Sequence, residues 1–485
     1  MATKADLEKR VVELEGQVRG LLAHIADLHA RLGLDSTNSS KPPSSDGPSA
    51  KPRGKRKSKG GKLGGRPGHE GHAFEKFAPD EIAAVVPLVP THCGHCGKAL
   101  PELPPNPRAI PAVFQHIELP VLKLVVTEYR RFKRACPCCG KRTRAPLPAG
   151  VGPSRLGPRL HATIAVLTQK YRLGRRLVID LLDDLAGRRF STATIQTVCE
   201  RASEAVSGPV EVLKAAIETS PFANLDETGW KHQGEEATGK RWWARVATTP
   251  FGTVFAITAD RGAAGMPEVL SAAYTGIVVC DRWRPYESVY GARRQLCWAH
   301  LQREWKGLVD RGLALVEAED APAELVERGR QLAEFGESAV KLTDKLFAHW
   351  QAFKQGRISR HELHRKMVTV KAKFHAHLRR GRLLPDPKMG GTCKDVLRQF
   401  RVLWTYLDVE GVEPTNNAAE RALRPLVILR GISLGTRTIP GQRLVARLAS
   451  VVATCRQQRR NPIAYLAEVI LQKRVGGTLP SLLPA

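Results

Sequence analysis

The stretch that decides the fold is Phe222-Ala-Asn-Leu-Asp226-Glu-Thr-Gly-Trp230, answered further on by Gly276-Ile-Val-Val-Cys-Asp281. Between them lie RWWARVATT (241–249) and GTVFAIT (252–258), separated by turn-forming residues at His232 to Thr238 and Pro250 to Gly252. Short β-branched and aromatic runs broken in this way predict a three-stranded meander. A helical stretch is expected from Ala264 to Ala273. Gly276 to Asp281 is almost wholly apolar, as a central strand covered on both faces should be, and it ends in a carboxylate. RRQLCWAH (293–300) reads as a further short strand, with Cys297 and His300 either a local structural pair or a packed strand end. Asp226 falls on or just after the first strand and Asp281 at the end of the fourth. If those strands are neighbours, the two carboxylates can share a metal ion. A lone acid at a strand end is ordinarily just solvated.

Working outward toward the C-terminus, residues 307 to 405 read as helices, with no proline between Pro322 and Pro385 and with Leu332, Phe335, Leu342, Leu346, Phe347 and Trp350 at helical spacing. This segment reads as an insertion, its aromatics as core. A capped helix is expected to begin within Glu413-Pro-Thr-Asn-Asn-Ala-Ala-Glu420-Arg-Ala-Leu-Arg424-Pro425. Glu420 would lie in its first turns, with Arg421 and Arg424 beside it. A third metal-facing acid flanked by guanidiniums suits phosphoryl transfer on DNA.

Toward the N-terminus, residues 155 to 206 read as helices, the last capped by Ser191 or Thr192 after a break at Gly187. They are either generic helical packing or a helix-turn-helix able to enter a major groove. Ahead of them stand Cys93-Gly-His-Cys96-Gly97-Lys98 and Cys136-Pro-Cys-Cys139-Gly140-Lys141, on either side of a segment with strand character, Val121 to Phe132. Two such knuckles offer the four thiolates of Cys93, Cys96, Cys136 and Cys139 to one structural Zn²⁺, with Cys138 or His95 as possible substitutes. Residues 35 to 70 are rich in Ser, Pro, Gly and Lys, too polar to fold alone. Nine basic residues stand between Lys41 and Arg66 against the single Asp46, among them Lys55, Arg56 and Lys57, so this linker either tracks phosphates or is a solvated spacer. Residues 7 to 32 carry heptads, with Leu7, Leu14, Leu21 and Leu28 at d and Val11, Val18, Ile25 and Leu32 at a. That pattern favours a parallel two-stranded coiled coil over a helix docked on its own chain.

The balance of the whole agrees with these parts. The chain has 485 residues, 42% of them apolar, which suffices for about three domains with real cores. Its 76 Lys and Arg against 47 Asp and Glu give a net charge of +29, which points to a polyanionic partner. Ten cysteines are too sparse for a disulfide scaffold, and neither a signal peptide nor a membrane-spanning stretch is visible. A soluble intracellular protein with reduced thiols is expected, bound to nucleic acid.

The words NSSKPPSSD, GGRPGHEGH, CGHCG, CPCCG, LDETGW, VVCDRWRPY, CWAHLQREW, PTNNAAERALRP and TCRQQRRNPIAYL, in this order, resemble the transposases of the insertion-sequence-66 family through about Leu466. That resemblance implies a DDE triad in the DET, CDRW and AERALRP words, carried here by Asp226, Asp281 and Glu420. It also implies an RNase H-like catalytic domain with a helical insertion before the glutamate, preceded by leucine-zipper and zinc-binding regions. One departure is Gly431, after Leu429-Arg430, where the family commonly keeps a second basic residue.

The expected protein is therefore multidomain and α-rich, with an α/β RNase H-like core interrupted by a helical insertion. Its expected parts are a coiled coil (1–34), a basic linker (35–80), a zinc-binding domain (81–150), a helix-turn-helix-like region (151–215), a catalytic core in two parts (216–306 and 412–475) and the insertion (307–411). The expected function is that of a bacterial, cytoplasmic, nucleoid-associated DNA transposase. It would bind the terminal inverted repeats of its element and, with two Mg²⁺ or Mn²⁺ per active site, cleave DNA and join the freed ends to target DNA. Arg421, Arg424, Arg430 and the linker cations would contact phosphates. The active form is expected to be a homodimer or higher oligomer, with other proteins of the element as possible partners. The alternative is a non-catalytic zinc-containing DNA-binding regulator or an inactive relic.

Overall fold

A computed structural model describes residues 3–32, 76–101, 112–152, 154–234, 242–318, 321–384 and 386–484. The basic linker, with Lys55, Arg56 and Lys57, lies outside the described residues. The chain divides into two units, residues 51–126 and residues 1–50 with 127–485. The boundary falls inside the expected zinc-binding domain.

In the smaller unit the first cysteine knuckle closes through backbone bonds: Cys93 N–H donates to the Lys98 carbonyl at 2.8 Å and Gly97 N–H to the Cys93 carbonyl at 2.9 Å. Gly97 has φ +71°, a conformation costly for any residue with a Cβ. In the larger unit Cys136 to Lys141 repeats this turn, with Gly140 at φ +68°. The short antiparallel strands β1 (Lys133–Ala135) and β2 (Arg142–Arg144) flank it. The strand expected over Val121 to Phe132 is not present. Among the described residues that segment has no ladder partner, and most of its large apolar side chains, Val121, Val125, Val126 and Phe132 among them, are exposed.

Helix α1 (Lys4–Leu32) covers the heptad region as one continuous helix. Leu7, Val11, Leu14, Val18, Leu21 and Ile25 are all at least 44% exposed on the single chain. Next come α2 (Pro158–Gln169), α3 (Arg175–Ala186), α4 (Thr192–Ala205) and α5 (Ser207–Glu218). Gly187 ends α3 in the left-handed conformation, and Ser191 caps α4 by accepting the Thr194 amide at 3.0 Å. Ile195, Val198, Cys199 and Ala202 bury one face of α4, leaving Thr197 and Glu200 outward.

The sheet contains β3 (Phe222–Trp230), β4 (Trp242–Thr248), β5 (Thr253–Thr258), β6 (Ile277–Cys280) and β7 (Arg294–Leu296), in the order β5-β4-β3-β6-β7. The first three pair antiparallel as a meander, while β6 and β7 add parallel to β3. The helix expected over Ala264 to Ala273 is only a 3₁₀ turn, Ala263–Glu268, which contains Pro267. The strand expected in RRQLCWAH stops at Leu296, because Cys297 is already the N-cap of a helix. Helix α6 (Arg284–Tyr290) precedes β7, and α7 (Trp298–Val316) follows it.

The insertion holds α8 (Ala323–Lys354), α9 (Arg360–Gly381), α10 (Pro387–Arg398) and α11 (Thr405–Asp408). Helices α7 and α8 approach closely at Gly312 and Gly329, where a Cβ on Gly312 would meet the Gly329 carbonyl at 2.6 Å. Trp298, at the start of α7, stacks against both Phe374 and Trp404 with ring centroids 5.0 Å away, so the insertion shares the core of the sheet.

The chain ends with α12 (Asn417–Ile432), α13 (Ile439–Gln457) and α14 (Pro462–Val475). Trp230, Trp242, Ala244, Val246 and Phe255 on the sheet pack against Ala419, Leu423 and Leu426 of α12 and Ala446 and Ala449 of α13. Trp242, Ala244 and Val246 are alternate residues, as one face of a strand requires. Helix α13 also shields the edge strand. Thr454 Oγ1 accepts the Thr253 amide at 3.1 Å and Ser450 Oγ accepts the Phe255 amide at 2.9 Å, so a row of open donors is closed by side chains. Among the described residues no helix is long and apolar enough to cross a membrane.

Ser450→Ala leaves the Phe255 amide buried without an acceptor. It should cost about 1–3 kcal/mol, read as a lower denaturant midpoint with an unchanged m-value.

Candidate active site

Three elements converge beside the middle of β3, where β6 ends. Its parallel register against β6 pairs Ala223 with Val278 and Asn224 with Val279; Asp226 lies two residues past the last pair on β3, and Asp281 is the first residue after β6. Asp226 is also opposite Val246 of β4, so it shares the face that packs against α12. Glu227 points the other way and accepts from Arg261 at 3.1 Å and from Tyr286. The Arg261 guanidinium lies 4.5 Å from the Trp243 ring centroid and 4.4 Å from that of Trp283, so Trp283 and Tyr286 pack beside Asp281.

Helix α12 is fastened to this strand by Asn416. Asn416 is the N-cap residue of this helix, yet its side chain makes no capping hydrogen bond. Instead its Nδ2 donates to the Leu225 carbonyl at 2.6 Å and its Oδ1 accepts from Asn224 Nδ2 at 3.0 Å. Its backbone amide donates to Cys297 Sγ at 3.1 Å, and Trp298 N–H donates to the Pro414 carbonyl at 2.9 Å, which binds the start of α7 to the same point. Glu420, one turn into α12, therefore faces the strand ends.

The electrostatics of the cluster follow from burial. The Asp226 carboxyl is pushed well up from the ordinary range by burial, then by the charges of Glu227 and Asp281, with Glu420 adding to them. Asp281 is raised by burial too, although the Trp283 amide and the nearby Arg261 and Arg282 oppose this. Asp226 Oδ1 accepts the Glu227 amide and Asp281 Oδ1 the Trp283 amide, each at 2.9 Å. Among the described residues neither carboxylate makes an ion pair. Two half-buried, mutually repelling carboxylates in that state call for a cation. Their hard oxygen donors suit Mg²⁺ or Mn²⁺.

The first turns of α7 complete the surroundings. Arg303 Nη2 lies 3.1 Å from Glu420 Oε1, and His300 Nδ1 lies 3.6 Å from the same oxygen. Burial, with Arg303 and Arg282 nearby, pushes the His300 pKa down to about 3, and burial pushes the Cys297 thiol up to about 11. Glu304 pairs with Arg282, which also reaches Asp395 at 2.7 Å.

The sequence of residues 153–443, more than half of the chain, matches the family described as Transposase IS66 family. The chain belongs to this family of transposases. Residues 2–75 match a family of unknown function, DUF6444. An uncharacterized protein, y4hP, of Sinorhizobium fredii is 25% identical over 71% of this chain and 64% of its own length. A second uncharacterized protein of that organism, y4qI, is 25% identical over 49% of this chain and 44% of its own length. The chain thus spans less than two thirds of either relative.

Within this transposase-family chain, Asp226, Asp281 and Glu420 lie near enough for Asp281 and Glu420 to raise the Asp226 pKa, but among the described residues the group whose ligand atoms all lie within 4.8 Å of one another is Cys297, His300 and Glu420. Arg421 and Arg424 stand exposed on α12, as phosphate contacts require. Arg430 instead turns inward, donating to Thr228 Oγ1 at 3.1 Å and to the Gly229 carbonyl, and burial lowers its pKa. Sequence reasoning missed Asn416, Arg303 and Glu304. The available signal was the word CWAHLQREW, whose His300, Arg303 and Glu304 share a helix face only once CWAH is read as helix rather than strand. In the knuckles, the amides of Cys96 and His95 lower the Cys93 thiol below its ordinary pKa, and those of Cys139 and Cys138 do the same for Cys136.

A buried carboxyl with a raised pKa holds its proton longer in the folded chain than in the unfolded one. The stability of the metal-free protein should therefore fall as pH rises from the ordinary Asp range through the folded pKa of Asp226. Asp226→Asn should melt higher than wild type at neutral pH in chelator, with the gap closing below the ordinary Asp pKa. Mg²⁺ should raise the wild-type melting temperature more than that of the variant, and equal Mg²⁺ responses would count against a cation at Asp226.

Proposed function

We propose that this chain is a DNA transposase that binds the terminal inverted repeats of its element and carries out Mg²⁺-dependent strand cleavage and strand transfer at Asp226, Asp281 and Glu420. The observation that carries this reading is the pair of half-buried carboxylates that make no ion pair among the described residues, Asp226 on β3 and Asp281 just after the parallel β6, with the start of the helix of Glu420 tied to β3 by Asn416. The strand order, an antiparallel meander followed by two parallel strands, supports an RNase H-like core. Asp226 and Asp281 would hold the metal pair between them, and Glu420 would complete the ligands of the second ion. The chemistry supplied by two bound Mg²⁺ or Mn²⁺ ions is activation of the attacking water or 3′ hydroxyl and stabilisation of the leaving oxygen.

The residues of the chain do the rest. Arg421, Arg424 and the linker cations, including Lys55, Arg56 and Lys57, hold phosphates, while Arg430 braces the end of β3 against α12. The α3–α4 pair is the proposed helix-turn-helix for the element ends. Structural Zn²⁺ at the cysteine knuckles belongs to the same reading, supported by the amides that favour thiolate in each. With a DNA substrate, the protein would work at the bacterial nucleoid. Two ends cut together need at least two chains, and the exposed heptad face of α1 is the proposed seam between them.

Asp226→Asn, Asp281→Asn and Glu420→Gln should each lower Mg²⁺-dependent nicking of end-containing DNA by about a thousandfold or more. Gel-shift affinity for the same DNA and zinc content should persist. A wild type that binds ends but never cuts with Mg²⁺ or Mn²⁺ would favour the binding-only regulator or relic. In light scattering, Leu14→Lys with Leu21→Lys should shift the free protein toward the mass of one chain. An unchanged mass would mean that α1 is not the seam.

A further inference from the structure

The turn that starts α7 gathers three kinds of ligand atom. The Cys297 sulfur, a His300 ring nitrogen and a Glu420 carboxylate oxygen all lie within 4.8 Å of one another. Cys297 is the N-cap and His300 stands three residues on, so both side chains reach the same side of the first turn. Cys297 Sγ is buried and accepts the Asn416 amide at 3.1 Å, as metal-bound thiolates accept backbone donors. His300 Nδ1 is buried and hydrogen-bonds to nothing among the described residues, 3.6 Å from Glu420 Oε1. Arg303 places positive charge against that same oxygen at 3.1 Å, which is the charge a cation would bring.

We propose that Cys297, His300 and Glu420 form a site for one thiophilic divalent cation of the zinc class, for which Arg303 is the competing charge. A set of one sulfur, one imidazole and one carboxylate selects such an ion over Mg²⁺, and three protein ligands leave the fourth position to water. On binding, the Cys297 thiol gives up its proton to solvent. The consequence for activity rests on the catalytic role proposed for Glu420: an ion here holds Glu420 away from the Asp226–Asp281 pair and silences cleavage. Ion binding itself does not depend on that role.

Co²⁺ is the probe, titrated into the full-length chain with Cys93, Cys96, Cys136, Cys138 and Cys139 all replaced by Ser, so that the knuckles can contribute no thiolate. One Co²⁺ per chain should bind with sulfur-to-cobalt charge-transfer absorption. Added to that protein, Cys297→Ser should abolish the absorption and His300→Gln should weaken binding at least about tenfold. Arg303→Met should tighten binding about tenfold, since it removes a neighbouring positive charge. Asp226→Asn with Asp281→Asn should leave the absorption in place. No bound Co²⁺, or absorption that survives Cys297→Ser, overturns the site. The Arg303→Met comparison needs no ligand to be altered, so if Cys297→Ser fails to fold, the absence of tightening in Arg303→Met still overturns it. In wild type, Zn²⁺ added at fixed Mg²⁺ should inhibit end cleavage. A protein that shows the cobalt absorption but never cuts DNA would overturn the catalytic reading and leave the ion site standing.

Discussion

Asn416 is the side chain on which the arrangement of the cleft depends. Its amide group spans Asn224 and Leu225, two residues and one residue before Asp226, and its backbone N–H meets Cys297 at the start of α7. A strand, the helix that bears Glu420 and the helix that bears His300 and Arg303 are thereby fixed at one buried point. An amide is suited to this because it donates and accepts at once, and here both functions are satisfied. An apolar residue of the same size would leave the Leu225 carbonyl and the Asn224 side chain without partners, at about 1–3 kcal/mol each. The usual helix cap is forgone, and the tie across nearly two hundred residues of sequence is made instead.

What Asn416 assembles is electrostatically unfavourable by itself. Asp226 and Asp281 are half-buried, repel one another and make no ion pair among the described residues, although Arg261 and Arg282 lie near Asp281. The surrounding acids are treated differently: Glu227 is held by Arg261 and Tyr286, Glu304 by Arg282, and Glu420 faces Arg303. Neutralising the outlying carboxylates while leaving the central pair without an ion pair is the pattern of a site whose charge is completed by something bound. That difference between neighbours, more than the presence of acids, gives the cleft its chemical character.

The insertion is part of the same construction. Helix α7 begins at the sheet, carries His300, Arg303 and Glu304 past the cleft, and continues into the close contact with α8 at Gly312 and Gly329. Arg282, next to Asp281, reaches both Glu304 on α7 and Asp395 on α10. Trp298, Phe374 and Trp404 continue the apolar core from one region into the other. Displacement of the insertion would therefore be felt at Asp281 through Arg282, and at Glu420 through Arg303.

By itself the sequence determined the local features of this protein: the three strands of the meander, the apolar β6 ending at Asp281, the Gly-closed turns of the knuckles, the Ser191 cap and the helical run of the insertion. Each depends on neighbours within a few residues, through alternation, capping or glycine conformation, and such signals are legible in one chain. The words LDETGW, CDRW and AERALRP also carry the three acids proposed for the catalytic site. Tertiary structure alone decided how those acids are held. CWAH looked like the end of a strand because its apolar residues continue RRQL, yet parallel pairing with β6 ends at Leu296 and Cys297 caps a helix. Arg430 looked like a phosphate contact and Val121 to Phe132 like a strand. Contacts across distant segments turn Arg430 toward Thr228 and Gly229, and among the described residues Val121 to Phe132 has no ladder partner. Short-range pattern records what a segment can form, but the partner that satisfies a buried donor or charge is chosen only when remote segments are brought together.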